Sequence, residues 1–244
     1  MPNYGTVQRA VYGVVKGAGK LEGFEPAESE LKALPASTTN FDSGLQTIIT
    51  CQPSVPINAT PPQFPDGWSQ CLITPTIKRK ILSTPGYPKP LNRPTENRHR
   101  IARSPPSGGL GVFATVDTKA GVLIFSERAI MILSPVIRYP PNLPSHFTTT
   151  QRYQAALCQK EKDIEAVFGR LHEQHKEVFM ALWNSHKEDG SGPLLGIVRT
   201  NSIEVDYYDD DDDMQFPYTG IWNEASRFNH RKVYSQILNP SSCR

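Results

Sequence analysis

Two short segments carry residue types that could hold a ligand by its polar groups. The first is Ser107-Gly108-Gly109-Leu110-Gly111-Val112-Phe113-Ala114-Thr115. Its glycines let a ligand approach the main chain, because no Cβ stands in the way. Backbone N–H and C=O groups there could grip a nucleotide or an amino-acid-like cofactor. The pattern is neither a G-x-G-x-x-G opening a helix nor a phosphate loop with its lysine. A glycine-rich turn before a strand is the plain alternative. The second segment is Ser226-Arg227-Phe228-Asn229-His230. Taken alone, Asn229-His230 also reads as ordinary loop or capping residues.

Other chemistry-bearing residues point less far. Asp209 to Asp213 form an acidic run after Asp206-Tyr207-Tyr208. It would attract a basic tail or a cation, but it lacks the alternating spacing of a calcium loop and reads as a solvated, self-repelling loop. His172 and His175 share a helical face at i, i+3, with no third ligand at a recognised zinc spacing. Asp163 and Glu165 read as solvent-facing helix charges. Cys51, Cys71, Cys158 and Cys243 contain no C-x-x-C pair, so free thiols are the simplest reading and no metal site is expected.

The elements that must position these residues are legible in outline. Ile73, Ile77 and Leu82 fall near helical spacing, and Pro75 suits a first turn, so a short helix is expected across Thr76–Ser83. The turn Thr84-Pro85-Gly86-Tyr87-Pro88 follows it. Val112–Thr115 and Val122–Leu133 are β-branched and aromatic around the turn Asp117 to Gly121, which predicts a strand, a turn and a second strand. Residues 148–186 read as helical after a Pro-rich bend. Leu157, Ile164, Phe168 and Leu171 make an apolar stripe, with Lys160, Glu161, Lys162 and Glu165 on the other face. Thr148 or Thr149 is a candidate cap. A second helix carries Val178, Phe179, Leu182 and Trp183 and is broken at Gly190-Ser191-Gly192-Pro193. Leu194 to Val198 opens another helix, and Ser202 to Tyr207 is strand-like.

Taken in order, these pieces resemble the SET domain, the fold of S-adenosylmethionine-dependent protein-lysine methyltransferases. The resemblance rests on Gly109 to Thr115, Val122 to Arg128, Leu182-Trp183-Asn184-Ser185-His186, Gly196 to Asn201 and Ser226 to His230. Gly67-Trp68 and Thr84 to Pro88 look similar to the leader of fungal SET proteins. The likeness covers roughly residues 61–230 and is nearest to the SET–MYND-like group, without the cysteine-rich MYND finger.

By that resemblance the Gly109, Leu110 and Gly111 backbone would line the S-adenosylmethionine pocket. Asn229 and His230 would hold the cofactor, and Asn201 would lie against it. The expected activity is lysine methylation on a protein substrate, histones among them. The sequence departs from the family after His230, where Arg231-Lys232-Val233-Tyr234 replaces the expected Ser-Cys and Pro-Asn. The later strands and their channel tyrosine are not among the fourteen residues that follow His230, and Tyr234 lies too close to take that role. The expectation is therefore weak or no turnover by the sequence as written. A non-catalytic SET-like interaction module is the alternative.

Composition sets the outer bounds. The chain has 244 residues, 38% hydrophobic content and 22 prolines, so part of it is expected to lie outside a packed core. A net charge of +2 argues against direct nucleic-acid binding. No apolar run is long enough for a membrane span, and the first twenty residues do not read as a secretory signal. Nucleus or cytoplasm is the expected location, with no membrane partner. The expected class is α+β: an incomplete β-rich SET-like domain over residues 98–231, with a helical insert near 148–200. It is preceded by a low-order region over 1–60 and a Pro-rich arm over 61–97, and followed by an irregular tail over 232–244.

Overall fold

The computed structural model describes residues 15–16, 20–21, 24–26, 32–33, 47–53, 67–104, 109–205 and 218–228. In chain order the elements are β1 (Val15–Lys16), β2 (Lys20–Leu21), β3 (Lys32–Ala33), β4 (Ile48–Gln52), β5 (Ser69–Ile73) and α1 (Pro75–Ser83). Then come β6 (His99–Arg103), β7 (Leu110–Ala114), β8 (Met131–Leu133), α2 (Thr149–Phe168), α3 (Glu173–Met180) and α4 (Pro193–Asn201). The last are β9 (Ile203–Val205), β10 (Tyr218–Ile221) and a 3-10 turn (Ala225–Arg227). The fold is mixed α and β.

A six-stranded sheet in the order β3-β4-β5-β8-β10-β9 organises the core. β5 pairs in parallel with β8, with Cys71 opposite Ile132 and Leu72 opposite Leu133. Side chains alternate across a strand, so each strand feeds two layers. Ile49, Leu72, Met131, Leu133 and Ile221 face one side and pack with Leu157, Ile164, Val167, Phe179, Leu195 and Val198 of the helices. Cys71, Ile73 and Tyr218 face the other side, with Ile77 and Ile81 of α1 over them. Cys51, Cys71 and Cys158 are buried free thiols.

The helices begin where the sequence places their signals. Thr74 caps α1 by accepting from the Ile77 N–H at 3.3 Å, and Pro75 occupies the first turn. Thr148 and Gln151 form a reciprocal capping box on α2, with N–O distances of 2.8 and 3.2 Å. α4 starts at Pro193.

Four expectations are corrected. The segment Val122–Leu133 is not one strand: only Met131–Leu133 joins the sheet, and Val122 and Leu123 are exposed. The partner of β7 is the upstream β6, with Ile101 opposite Val112 and Arg103 opposite Leu110. The reason lies in what residues 126–128 hold. Ser126 Oγ donates to the Asn92 carbonyl and Arg128 Nη2 to the Lys89 carbonyl at 2.7 Å, so they tie down the arm instead of a ladder.

The reading of residues 1–60 as low-order misses β4, which is buried along its whole length between β3 and β5. Its residues Ile48-Ile49-Thr50-Cys51-Gln52 are too few for periodicity to register. Lys160 and Glu161 do not face water: both are buried on α2. Lys160 Nζ donates to the Ser134 carbonyl at 2.7 Å. Trp183 lies beyond the end of α3, which stops at Met180, and is 59% exposed rather than core.

Candidate functional site

Of the residues singled out by the sequence, those on β7 and Asn201 lie near the turn Ala225–Arg227. Asn229 and His230 lie outside the described residues, as does the acidic run Asp209–Asp213. β7, carrying Leu110 and Gly111, lies against the 3-10 turn Ala225–Arg227. Gly111 is buried and Leu110 is 44% exposed. At Gly109 an added Cβ would meet nothing within 4 Å, so internal packing does not require glycine there.

Asn201, the last residue of α4, is buried, and its amide nitrogen donates to the Trp183 carbonyl at 2.6 Å and the Ile197 carbonyl at 2.7 Å. Those bonds stitch α4 to the loop after α3 and commit the amide hydrogens to the protein. What Asn201 offers the turn is its carbonyl, which accepts from Ser226 Oγ at 2.9 Å. Ser226 Oγ in turn accepts from the Trp222 N–H at 2.9 Å. The fold therefore brings β7, the end of α4 and residues 222–228 into one neighbourhood.

Residues not singled out by their chemistry hold that turn in place. Glu127 Oε1 accepts from the N–H groups of Glu224 at 2.8 Å and Ala225 at 2.6 Å. A carboxylate across a turn's free N–H groups is a capping arrangement supplied from a distant segment. Burial pushes the Glu127 carboxyl above its ordinary value, and the backbone donors of Ala225 and Glu224 pull against that. His99 Nε2 contacts the Glu224 carboxylate. Phe125 sits between the His99 ring, at 5.0 Å, and the Phe228 ring, stacked at 5.5 Å. The sequence signal for Glu127 was faint: one carboxylate closing the apolar run Val122 to Phe125.

A second polar cluster lies at the start of α4. Glu161 accepts from the Leu194 N–H at 2.9 Å and the Leu195 N–H at 2.6 Å. Gln154 donates to the Gly190 carbonyl at 2.6 Å. Asp189 Oδ2 contacts His186 Nδ1 at 2.5 Å and Arg199 Nη1 at 2.7 Å, and Arg199 also donates to Ser191 Oγ at 2.6 Å. Burial alone would raise the Asp189 carboxyl. Its bonds to His186 and Ser191 and the Arg199 charge outweigh that, so it lies below its ordinary value. These groups are saturated by one another, which marks a structural network rather than a reacting centre.

His172 and His175 share the first turn of α3, and among the described residues no three His, Cys, Asp or Glu side chains group as metal ligands. No described helix is long and apolar enough to cross a membrane. One cleft, of about 310 Å³, opens between the arm and α3. It is bordered by Glu127 and Asn223 but not by Gly109, Leu110, Gly111 or Asn201. Comparison with family models, curated proteins and solved structures gave no match.

Proposed function

We propose that this chain carries the S-adenosylmethionine-binding part of a SET-type protein-lysine methyltransferase. The observation that carries the proposal is the meeting of its motif segments. β7 lies against Ala225–Arg227, and the Asn201 carbonyl is 2.9 Å from Ser226 Oγ, although these residues are spread over nearly half the sequence. Gly109, Leu110 and Gly111 would line the cofactor with main chain, and Asn229 and His230 would bind its polar groups.

The bound cofactor would supply an activated methyl group. The protein's own share is to hold a lysine amine close and in line, and to keep water from it. A free lysine has a pKa of about 10.4, so a dry site that favours the neutral amine is part of the requirement. The segment Arg231 to Arg244 does not carry the family's channel tyrosine pattern.

Calorimetry with S-adenosylmethionine tests the cofactor claim directly. Asn229→Ala is expected to weaken binding by about 1–3 kcal/mol, the usual cost of removing one partner of a buried polar contact. Gly111→Val is expected to weaken it through intrusion of a branched side chain. No binding by the wild-type chain would overturn the proposal, and unchanged affinity in both variants would overturn the placement of the site. A second reading, a non-catalytic interaction module, is favoured by the apolar residues left exposed on the hairpin, Ile101 and Leu110, and by exposed Trp183.

A further inference from the structure

Residues 125–128 run between the turn ending at Gly121 and β8, and among the described residues no backbone–backbone hydrogen bond involves them. Their position is set by side-chain contacts, and the partners alternate. Phe125 stacks on Phe228 at 5.5 Å and meets the His99 ring at 5.0 Å. Ser126 Oγ donates to the Asn92 carbonyl. Glu127 Oε1 accepts from the N–H groups of Glu224 at 2.8 Å and Ala225 at 2.6 Å. Arg128 Nη2 donates to the Lys89 carbonyl at 2.7 Å. Phe125 and Glu127 thus hold the turn that ends at Phe228, and Ser126 and Arg128 hold the arm. That is the alternation an extended chain produces.

The far end of this strap is fixed in the core. Ala129 and Ile130 are buried, and the Ile130 N–H donates to the Ile221 carbonyl at 2.7 Å. The arm ties span 34 and 39 residues and the turn ties 97 and 98, so neither side is a local turn closing on itself. Glu127 sits between Ser126 and Arg128 across two rigid peptide planes, so its carboxylate cannot keep its place under two N–H groups if both neighbours shift. The turn is itself bonded together. The Arg227 and Phe228 N–H groups donate to the Glu224 and Ala225 carbonyls, and the Trp222 N–H donates to Ser226 Oγ. A shift felt at Glu224 and Ala225 is therefore passed along the turn.

We propose that residues 125–128 form a two-sided strap through which the arm controls how firmly the turn ahead of Asn229 is held. The arm and the turn loosen together as one unit, while the helical layer stays closed. The device concerns the turn itself and does not depend on a cofactor.

Amide hydrogen exchange of the full chain tests this at the N–H groups of Trp222, Glu224, Ala225, Arg227 and Phe228, with the α2 amides as internal reference. Arg128→Met removes an arm tie with a charged donor and is expected to speed exchange in the turn about ten-fold. Ser126→Ala removes a neutral tie and is expected to speed it about five-fold. The ties removed run to the arm and not to the turn, and α2 exchange should be unchanged in both variants. Ser126→Ala, the smaller change, is the safeguard against a packing defect in Arg128→Met. Glu127→Met cuts the strap from the turn, so adding Ser126→Ala to it should leave turn exchange at the Glu127→Met rate. Unchanged turn exchange in both arm-side variants, an equal acceleration in α2, or a Ser126→Ala effect undiminished in the Glu127→Met background would each overturn the proposal.

Discussion

The helical layer and the β6–β7 hairpin are held by different physics. In the helical layer Leu157, Ile164, Val167 and Phe179 are wholly buried against the sheet. Among the described residues the hairpin pairs only with itself, and it leaves Ile101 and Leu110 exposed at 37% and 44%. Its ties to the body run through polar and aromatic groups: His99 to Glu224, and Phe125 between His99 and Phe228. Yet the hairpin carries the glycines proposed to meet the cofactor. Stability and candidate function are thus lodged in different parts of the molecule. That division is common where a site needs local freedom that a packed core cannot give.

Substitutions in the two regions should therefore diverge. The largest effect is expected at Phe179, wholly buried and edge-on to Phe168 at 5.4 Å. Phe179→Ala should destabilise by about 3–5 kcal/mol in urea unfolding, from lost burial and a cavity. A loss below about 1 kcal/mol would show that the helical layer is not the mainstay.

Lys160 sharpens the same contrast through pH. Burial pushes its ammonium down to about 8 from an ordinary 10.5, with Asp163 pulling back. Between those values the unfolded chain binds more protons than the folded one, so stability rises with pH across that window. Below pH 8 the full cost of burying the charge is present. Lys160→Met should therefore match or exceed the wild type at pH 7, by up to about 3 kcal/mol. The gap should shrink as pH rises from 8 towards 10.5. A gap constant over that range would show that the ammonium carries no burial cost.

Glu161→Gln should cost about 2 kcal/mol, because one amide oxygen cannot replace two carboxylate oxygens at the N–H groups of Leu194 and Leu195. Thr148→Ala removes half of the α2 capping box and should cost about 1 kcal/mol. Both are read by urea midpoints, and an effect of Thr148→Ala exceeding that of Glu161→Gln would reverse the ranking of local cap and tertiary cap. On the hairpin, Leu110→Ser should change stability by less than about 0.5 kcal/mol. A loss as large as that of Phe179→Ala would erase the distinction between the regions.

Helix starts were legible because caps are local. Pro75 removes and Thr148 satisfies one of the first N–H groups of its helix whatever the rest of the chain does. The apolar stripe of α2 was legible for the same reason, since helical period fixes which residues share a face. The burial of Lys160 and Glu161 was not, because the partners that make it tolerable lie elsewhere: the Ser134 carbonyl and the N-terminus of α4. Asn201 was picked out as a candidate contact, but its amide is spent on two carbonyls that no spacing rule connects to it.

Sequence by itself determined that four helices form and that a strand follows the glycine cluster, all set by neighbours within a few residues. Tertiary structure alone decided that β7 pairs backward with β6, that β8 sits between β5 and β10, and that Glu127 caps the turn before Asn229. Those choices depend on hydrogen-bond partners 60 or more residues away in most cases. A backbone donor takes whichever acceptor the folded chain brings within reach, and local sequence does not record which one that will be.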